Sequence, residues 1–459
     1  MDASTVICNC KNKKLKEDQN MAEDSDRISK LPDMVLQHIL SFLSTKYVVG
    51  TTILSKRWQN LWTSIPSLEF QEWRSFKEKS PTHRKLFMNF VDRVLLLRDF
   101  SNIQRFSLSC NVLSDELRIN AWMSAAVRRK VEEFHICLHD ENESFVWPHC
   151  IFTSESLKVL ELGTAGVLKL PSSIVLSNLK ILTLANVIFS DDYSTQQLFS
   201  GCPVLEKLNI DKCNWSDLKA VTISAPRLCS LKICEMDNQS GSNRCQVTIF
   251  GTSLKFFSYS GEFMNDFCLY SSSSLVDACI YTEAEEPREV AYHVNKLIRE
   301  LSGVKKLTLS SVAVEALSCA EELFAHLPMF NTLTHLELVS VGTFLNCEGL
   351  LKILQNSSRL ESLIFAEGIW LSSYFENDSQ ILDPVPSCFL SHLKSIEVWE
   401  FCGTEEELNL VKILLKNATV LDRMVISCGT YFQGALEKKK AHEQLLMLPR
   451  GSTSSIIFS

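Results

Sequence analysis

The sequence predicts an α/β chain in which a short three-helix module precedes an irregular solenoid of parallel β-strands. Three observations carry that prediction. At 459 residues the chain is too long for one compact core. From residue 103 onward a hydrophobic cassette recurs thirteen times. Ahead of it, residues 27–62 concentrate large apolar side chains at helical spacing.

Composition narrows the function class. Hydrophobic residues make up 46% and charged residues 22%, as in ordinary folded proteins rather than disordered or fibrous ones. The 46 Lys and Arg against 54 Asp and Glu leave a net charge of -8, which argues against an electrostatic grip on nucleic acid or an anionic membrane. No run approaches the roughly 20 apolar residues that span a bilayer, and the N-terminus is polar where a secretory signal is apolar. The expected location is therefore the nucleus, the cytoplasm or both. The 17 cysteines lack the repeated short pairs that hold zinc, so they read as reduced, small apolar core residues. Cys8 and Cys10 pair up without a nearby His, so no metal is expected there or elsewhere.

Residues 1–25 are polar and aperiodic, which predicts a flexible tail. Its Lys11, Lys13, Lys14 and Lys16 read as a solvated run or a nuclear import signal.

Residues 26–70 form the next stretch, with the sequence RISKLPDMVLQHILSFLSTKYVVGTTILSKRWQNLW at its centre. Pro32 suits a helix start and Asp33 the positive end of the helix dipole. Leu36, Ile39, Leu40 and Leu43 then give an apolar stripe. Ser44 and Thr45 mark a break, Tyr47 to Ile53 a second helix, and Ser55 is a candidate N-cap for a third that carries Trp58, Leu61 and Trp62. About forty residues cannot bury so many large side chains by themselves. Part of the apolar surface is left for a partner, or for sealing a neighbouring domain.

Leu31-Pro32, Ile39-Leu40, Leu43 and the run LSKRWQNLW at 54–62 closely resemble the F-box motif of the plant F-box/FBD/leucine-rich repeat family. That resemblance implies binding to a Skp-type adaptor and, through it, to the cullin and RING protein of a ubiquitin ligase. It implies adaptor-binding roles for Leu31, Pro32, Ile39, Leu43, Leu54, Trp58 and Trp62, at or just under the interface. On that basis Trp58→Ala is expected to cost about 2 kcal/mol or more of adaptor affinity. Two positions depart from the family pattern: many relatives have Pro where Ser44 stands and a longer side chain where Gly50 stands. Glycine within a helix costs on the order of 1 kcal/mol against alanine.

Residues 71–102 read as a linker holding one amphipathic helix, with Leu86, Phe87, Phe90, Val91, Val94 and Leu95 on its apolar face. Capping the first repeat is its expected role, because a repeat stack needs its end covered. An independent partner-binding helix is the other reading.

Over residues 103–383 and beyond, the cassette runs hydrophobic, two spacers, hydrophobic, one spacer, hydrophobic, from IQRFSL at Ile103 to LDRMVI at Leu421. Its intervals of 21 to 33 residues fall in the range of leucine-rich repeats. Parallel stacking would line a concave face with strands and put segments such as 191–204 and 349–359 on the convex side as helices or turns. Cys213 follows Leu205, Leu208 and Ile210 at an inward-facing position and is assigned to packing. Residues 384–459 resemble the FBD segment of the same family and read as the terminal part of the solenoid. There a helix over Glu405 to Asn417 presents Leu408, Val411, Leu414 and Leu415, and a last strand SSIIF seals the end. The acidic runs at 405–407 and 283–286 read as solvated surface.

No nucleotide-binding, serine-hydrolase or zinc-protease motif occurs, so no catalytic residue and no cofactor are assigned. The expected function is that of a non-catalytic, target-selecting subunit of an SCF-type ubiquitin ligase, which joins the Skp-type adaptor to an unknown target protein. The alternative is a protein-binding repeat scaffold outside any ligase.

Overall fold

The computed structural model describes residues 28, 31–72, 81–112, 115–139, 145–235, 244–271, 274–319, 327–339, 348–369, 382–429 and 435–458. The tail with Cys8, Cys10 and its lysines lies outside them. The chain divides into two units, 1–65 and 66–459.

The first unit holds the three expected helices, α1 (Asp33–Leu40), α2 (Thr45–Gly50) and α3 (Trp58–Leu61). Pro32 occupies the N-cap position, where its carbonyl accepts from the Val35 and Leu36 N–H groups. α2 runs on as a 3-10 turn, Thr51–Ile53. α3 is a single turn, and Ser55 lies ahead of it in a turn whose carbonyl accepts from Trp58 N, so Ser55 is not its N-cap. Leu36, Leu40, Val48, Trp58, Leu61, Trp62 and Ile65 form the buried core. Gly50 is exposed and a Cβ there would meet nothing, so glycine costs this helix propensity but no packing.

The second unit begins at Pro66 and opens on a strand. Ser67–Gln71, at the boundary between the 26–70 stretch and the linker, is the first strand of the repeat sheet and pairs with Arg105–Asn111. Its alternation of inward Leu68 and Phe70 with outward Glu69 is a strand pattern only once a neighbouring strand is present.

All thirteen cassettes become strands of one parallel, fifteen-stranded sheet whose order follows the chain. Each strand starts two residues after the first hydrophobic residue of its cassette, as Arg105 follows Ile103 and Arg423 follows Leu421. The remaining two strands are Ser67–Gln71 and, as the sequence suggested, Ser455–Phe458. Register keeps like positions in rows: Leu160, Leu182, Leu208, Leu231 and Phe257 face inward side by side. Each such buried side chain contributes roughly 1.5–3 kcal/mol against exposure. No repeat buries its own row, so stability comes from stacking. Near the first strands the row is aromatic, with Phe106 stacked on Phe134 at 5.5 Å between ring centres.

The helix expected in the linker spans Pro81–Leu97 and covers this end. Met88, Val91 and Val94 are buried and Phe90 meets Phe70 edge-on, whereas Leu86 is exposed rather than packed. Arg84 pins the helix by bonding the carboxylates of Glu72 and Asp115 and the carbonyls of Asn111 and Val112.

Behind the sheet the repeats return through helices such as Asp192–Ser200, Ser311–Ser318 and Glu348–Gln355, in the two segments the sequence indicated and elsewhere. Among the described residues five strands lie outside the main sheet, and two of them, Val167–Leu168 and Ile188–Phe189, form a short parallel pair. Ala220–Ser224, Gln246–Gly251 and Asp266–Ser271 form a second parallel sheet, whose Phe267 meets Tyr259 of the main sheet across the core. One edge of this sheet is closed by the helix before it: the Gln196 carboxamide donates to Thr222 O and accepts from Thr222 N, both at 2.9 Å. Asp192 Oδ1 accepts from Lys219 N and Ala220 N.

Two helices behind the sheet cross at Gly349, where an added Cβ would overlap the Val314 carbonyl oxygen and press on the Leu317 side chain. Gly349→Ala therefore forces the helices apart and should destabilise the repeat unit by about 1–3 kcal/mol, as overpacking does. Chemical denaturation monitored by circular dichroism measures the loss.

The segment from 384 onward continues the same sheet through Ser395–Phe401, Arg423–Cys428 and Ser455–Phe458. Its helix spans Glu405–Asn417, as expected, and buries Leu410, Val411, Leu414 and Leu415, with Leu408 half-buried. Glu407 is not solvated surface. It is buried and completes a capping box, accepting from Thr404 N and Cys402 N while Thr404 Oγ1 accepts from Glu407 N.

Candidate protein-binding surfaces

The first unit separates the seven residues singled out in the sequence. Pro32, Ile39, Leu43 and Leu54 are exposed, Leu31 is half-buried, and Trp58 and Trp62 are each 7% exposed. The reason is geometric. The inward side of a helix of two turns is narrow and is centred on Leu36 and Leu40, so Ile39, about 100° round from Leu40, lies on its flank and stays exposed. The tryptophans, the largest side chains in the module, fill its centre, where α3 meets α1 and the turns that flank α3.

Beside the exposed four stand residues the sequence reading did not name: Met34 (81% exposed), Val35, Phe42 (76%), Tyr47 and Ile53 (87%). Val35, Ile39 and Phe42 recur at i, i+4 and i+7, a second apolar spacing of which the stripe read from the sequence contains only Ile39. So many exposed large apolar side chains in one small module mark a protein-interaction surface. The scaffold beneath it is pinned by Arg57, which bonds Asp33 Oδ1 at 2.6 Å and Leu31 O at 2.5 Å, and so ties the Leu-Pro-Asp segment to the start of α3. Gln37 Nε2 donates to Ser64 Oγ at 2.7 Å and ties α1 to the turn after α3.

The second unit offers the outward face of its strands. A shallow cavity of about 270 Å³ lies on it, lined by His335, Glu361, Lys394, Ser395, Asp422 and Arg423. Within it Lys394 faces Glu361 at 3.5 Å and Arg423 Nε donates to Ser395 Oγ at 3.0 Å, while Arg423 Nη2 lies 3.7 Å from Glu397.

The inward thiols carry no nucleophile chemistry. Burial pushes Cys110, Cys202, Cys213, Cys245 and Cys388 each up to about 12, so they stay protonated. Cys213 packs as the sequence indicated, with its thiol donating to Leu184 O. Among the described residues no three His, Cys, Asp or Glu side chains group as metal ligands.

A helical module with an apolar outer face, joined to a parallel-strand solenoid, defines an F-box protein with leucine-rich repeats. Comparison with known proteins agrees: an F-box domain model matches residues 28–70, and the leucine-rich repeat model described as At1g61320/AtMIF1, LRR domain, matches residues 98–448. An FBD-associated F-box protein of Arabidopsis thaliana, At3g50710, is 30% identical over 441 residues, covering 94% of this chain and 98% of the relative. The F-box/LRR-repeat protein At3g59200 of the same plant is 28% identical, over 90% of this chain and 84% of its own length. The F-box/FBD/LRR-repeat protein At5g56420, also from Arabidopsis thaliana, is 28% identical over 95% and 99%. The chain belongs to this plant F-box/leucine-rich repeat family. Neither matching model is that of a catalytic domain, and the architecture is that of a substrate adaptor.

Proposed function

We propose that this chain is the target-selecting subunit of an SCF-type ubiquitin ligase. Its F-box holds a Skp-type adaptor and, through it, cullin and RING protein. The strand face holds a target protein, so that a target lysine is kept at high effective concentration near the ubiquitin thioester. The target then passes to ubiquitination and proteasomal degradation, in the nucleus, the cytoplasm or both. The chain itself breaks no bond.

The observation that carries this reading is the exposed apolar face of the F-box, formed by Ile39, Leu43 and Leu54 together with Met34, Phe42 and Ile53. Pro32 is exposed as well and Leu31 half-buried, while Trp58 and Trp62 belong to the module's core. An interface of this kind takes most of its affinity from a few such anchors.

Because Ile39 and Leu43 are exposed, Ile39→Asp with Leu43→Asp leaves the core intact and places two charges against the adaptor's apolar surface. The double variant should bind a purified Skp-type adaptor at least about 30-fold more weakly, or about 2 kcal/mol, with unchanged circular dichroism. Titration calorimetry measures it, and unaltered affinity would remove this face from the interface. Reconstitution of the wild-type chain with adaptor, cullin and RING protein tests the assembly; failure to form the four-part complex points to a scaffold outside the ligase.

A further inference from the structure

Charges on the outward strand face are unevenly distributed. On the early strands they are paired: Arg105 with Glu133, Lys158 with Glu132, and Lys180 with Glu206. On the late strands Lys306 pairs with Glu337, Lys394 with Glu361, and Arg423 with Glu397. Between them Lys207, Lys232 and Lys255 are exposed and take part in no ion pair among the described residues.

These three lysines belong to consecutive repeats. Register puts Lys207 beside Ser230 and Ser230 beside Phe256, so Lys207 and Phe256 share one outward row two strands apart, at about 4.8 Å per strand. Lys232 stands one outward row further along, and its ammonium lies 5.5 Å from the centre of the Phe256 ring. Lys255 precedes Phe256 at the rim, and Arg227 is exposed in the turn before Leu228. Carboxylates do occur on and beside these strands: Glu206, already held by Lys180, Asp277 beside Phe256, and Asp211 at the far end of the Lys207 strand. On a chain of net charge -8 this is a local cationic patch around one half-buried aromatic ring.

We propose that the first halves of Lys207–Asp211, Ser230–Cys234 and Phe256–Ser260 are the target-contact patch, and that they take an acidic peptide segment bearing an apolar residue for Phe256. This rests on the reading that the repeats hold the target, and it adds the chemistry of the segment recognised. Unpaired cations steer an acidic segment and set its register, because each gains a carboxylate without breaking an existing pair. The aromatic ring supplies apolar contact area between them. Nucleic acid fits less well. The net negative charge repels a polyanion, and one ring does not make the series of stacking platforms that single strands use.

The test uses the full chain and a fluorescein-labelled peptide of alternating Glu and Phe. Saturable binding that weakens about ten-fold or more in Lys207→Glu/Lys232→Glu/Lys255→Glu, while staying within about three-fold in the equally charged control Lys169→Glu/Lys412→Glu/Lys416→Glu, supports the patch. All six lysines are exposed, and circular dichroism verifies that both variants fold. Equal weakening in the two variants means diffuse electrostatics and overturns the proposal, as does the absence of saturable binding. Tighter binding of a single-stranded oligonucleotide of equal length also overturns it. Adaptor affinity, measured on the same variants, separates the two readings: it stays unchanged if only the patch assignment is wrong, whereas a wild-type chain that fails to bind adaptor sinks the ligase reading itself.

Discussion

Trp58→Ala should unfold the F-box unit rather than merely thin its outer surface. Trp58 is buried, between Leu36 and Leu40 of the first helix on one side of the sequence and Leu61 and Trp62 on the other, all of them buried as well. Truncating a core tryptophan costs roughly 3–5 kcal/mol. A module of this size holds only a few kcal/mol in reserve. Hydrogen exchange resolved by mass spectrometry should show protection lost across residues 31–65 and kept across the repeat sheet. Adaptor binding should fail in the same variant, and for that reason. If protection survives while adaptor binding falls, Trp58 acts as a direct contact instead of a support. Burial divides the motif in two: its tryptophans belong to the core, whereas Ile39, Leu43, Leu54, Phe42 and Ile53 are exposed.

The second large effect is expected at Glu235, whose side chain is buried and accepts from Tyr259 Oη at 2.5 Å, Met264 N at 2.9 Å, Asn265 N at 3.2 Å and Asn265 Nδ2 at 2.8 Å. The carboxylate organises the turn at 261–265, in which Gly261 has φ of +146° and an added Cβ would press on Glu235. Glu235→Ala strands four donors and should cost the repeat unit about 3 kcal/mol or more. Burial, the largest influence, pushes this carboxyl above its ordinary range, while the donated bonds pull it down. With the folded value above the unfolded value of about 4.3, the stabilisation linked to the proton is full below that pH and declines as pH rises through the folded value. The gap in unfolding free energy between wild type and Glu235→Ala should therefore be wider near pH 4 than at pH 7. Urea titrations of both chains across that interval measure it, and a gap that widens toward neutral pH would contradict the assignment.

The repeats were legible because each cassette sends three side chains into one core, so the pattern survives changes of residue: LKILTL and VEEFHI make the same strand. The helix at Glu405–Asn417 was legible from its acidic first turn and apolar spacing. The second sheet was not. AVTIS, QVTIFG and DFCLYS are short, and each is a strand only because another lies one repeat away, which local spacing does not encode. The strand Ser67–Gln71 was hidden for the same reason, because its partner Arg105–Asn111 lies more than thirty residues further along the chain. In the F-box, residue type located the surface but not its inward and outward sides. Trp58 and Leu54 are both apolar and belong to one motif, yet one is core and the other faces outward. Glu407 was misread because an acidic run suggests solvent, whereas the third residue of a helix can turn back onto its own N-cap.

The Gln196 carboxamide, which completes the ladder beside Thr222, bears on how the chain avoids associating with itself. A bare strand flank is a template on which any extended polypeptide can crystallise into fibrils or tangles. By supplying a side-chain imitation of one more peptide unit, the preceding helix terminates that template within the molecule. That flank of the second sheet is thereby closed to pairing at Thr222.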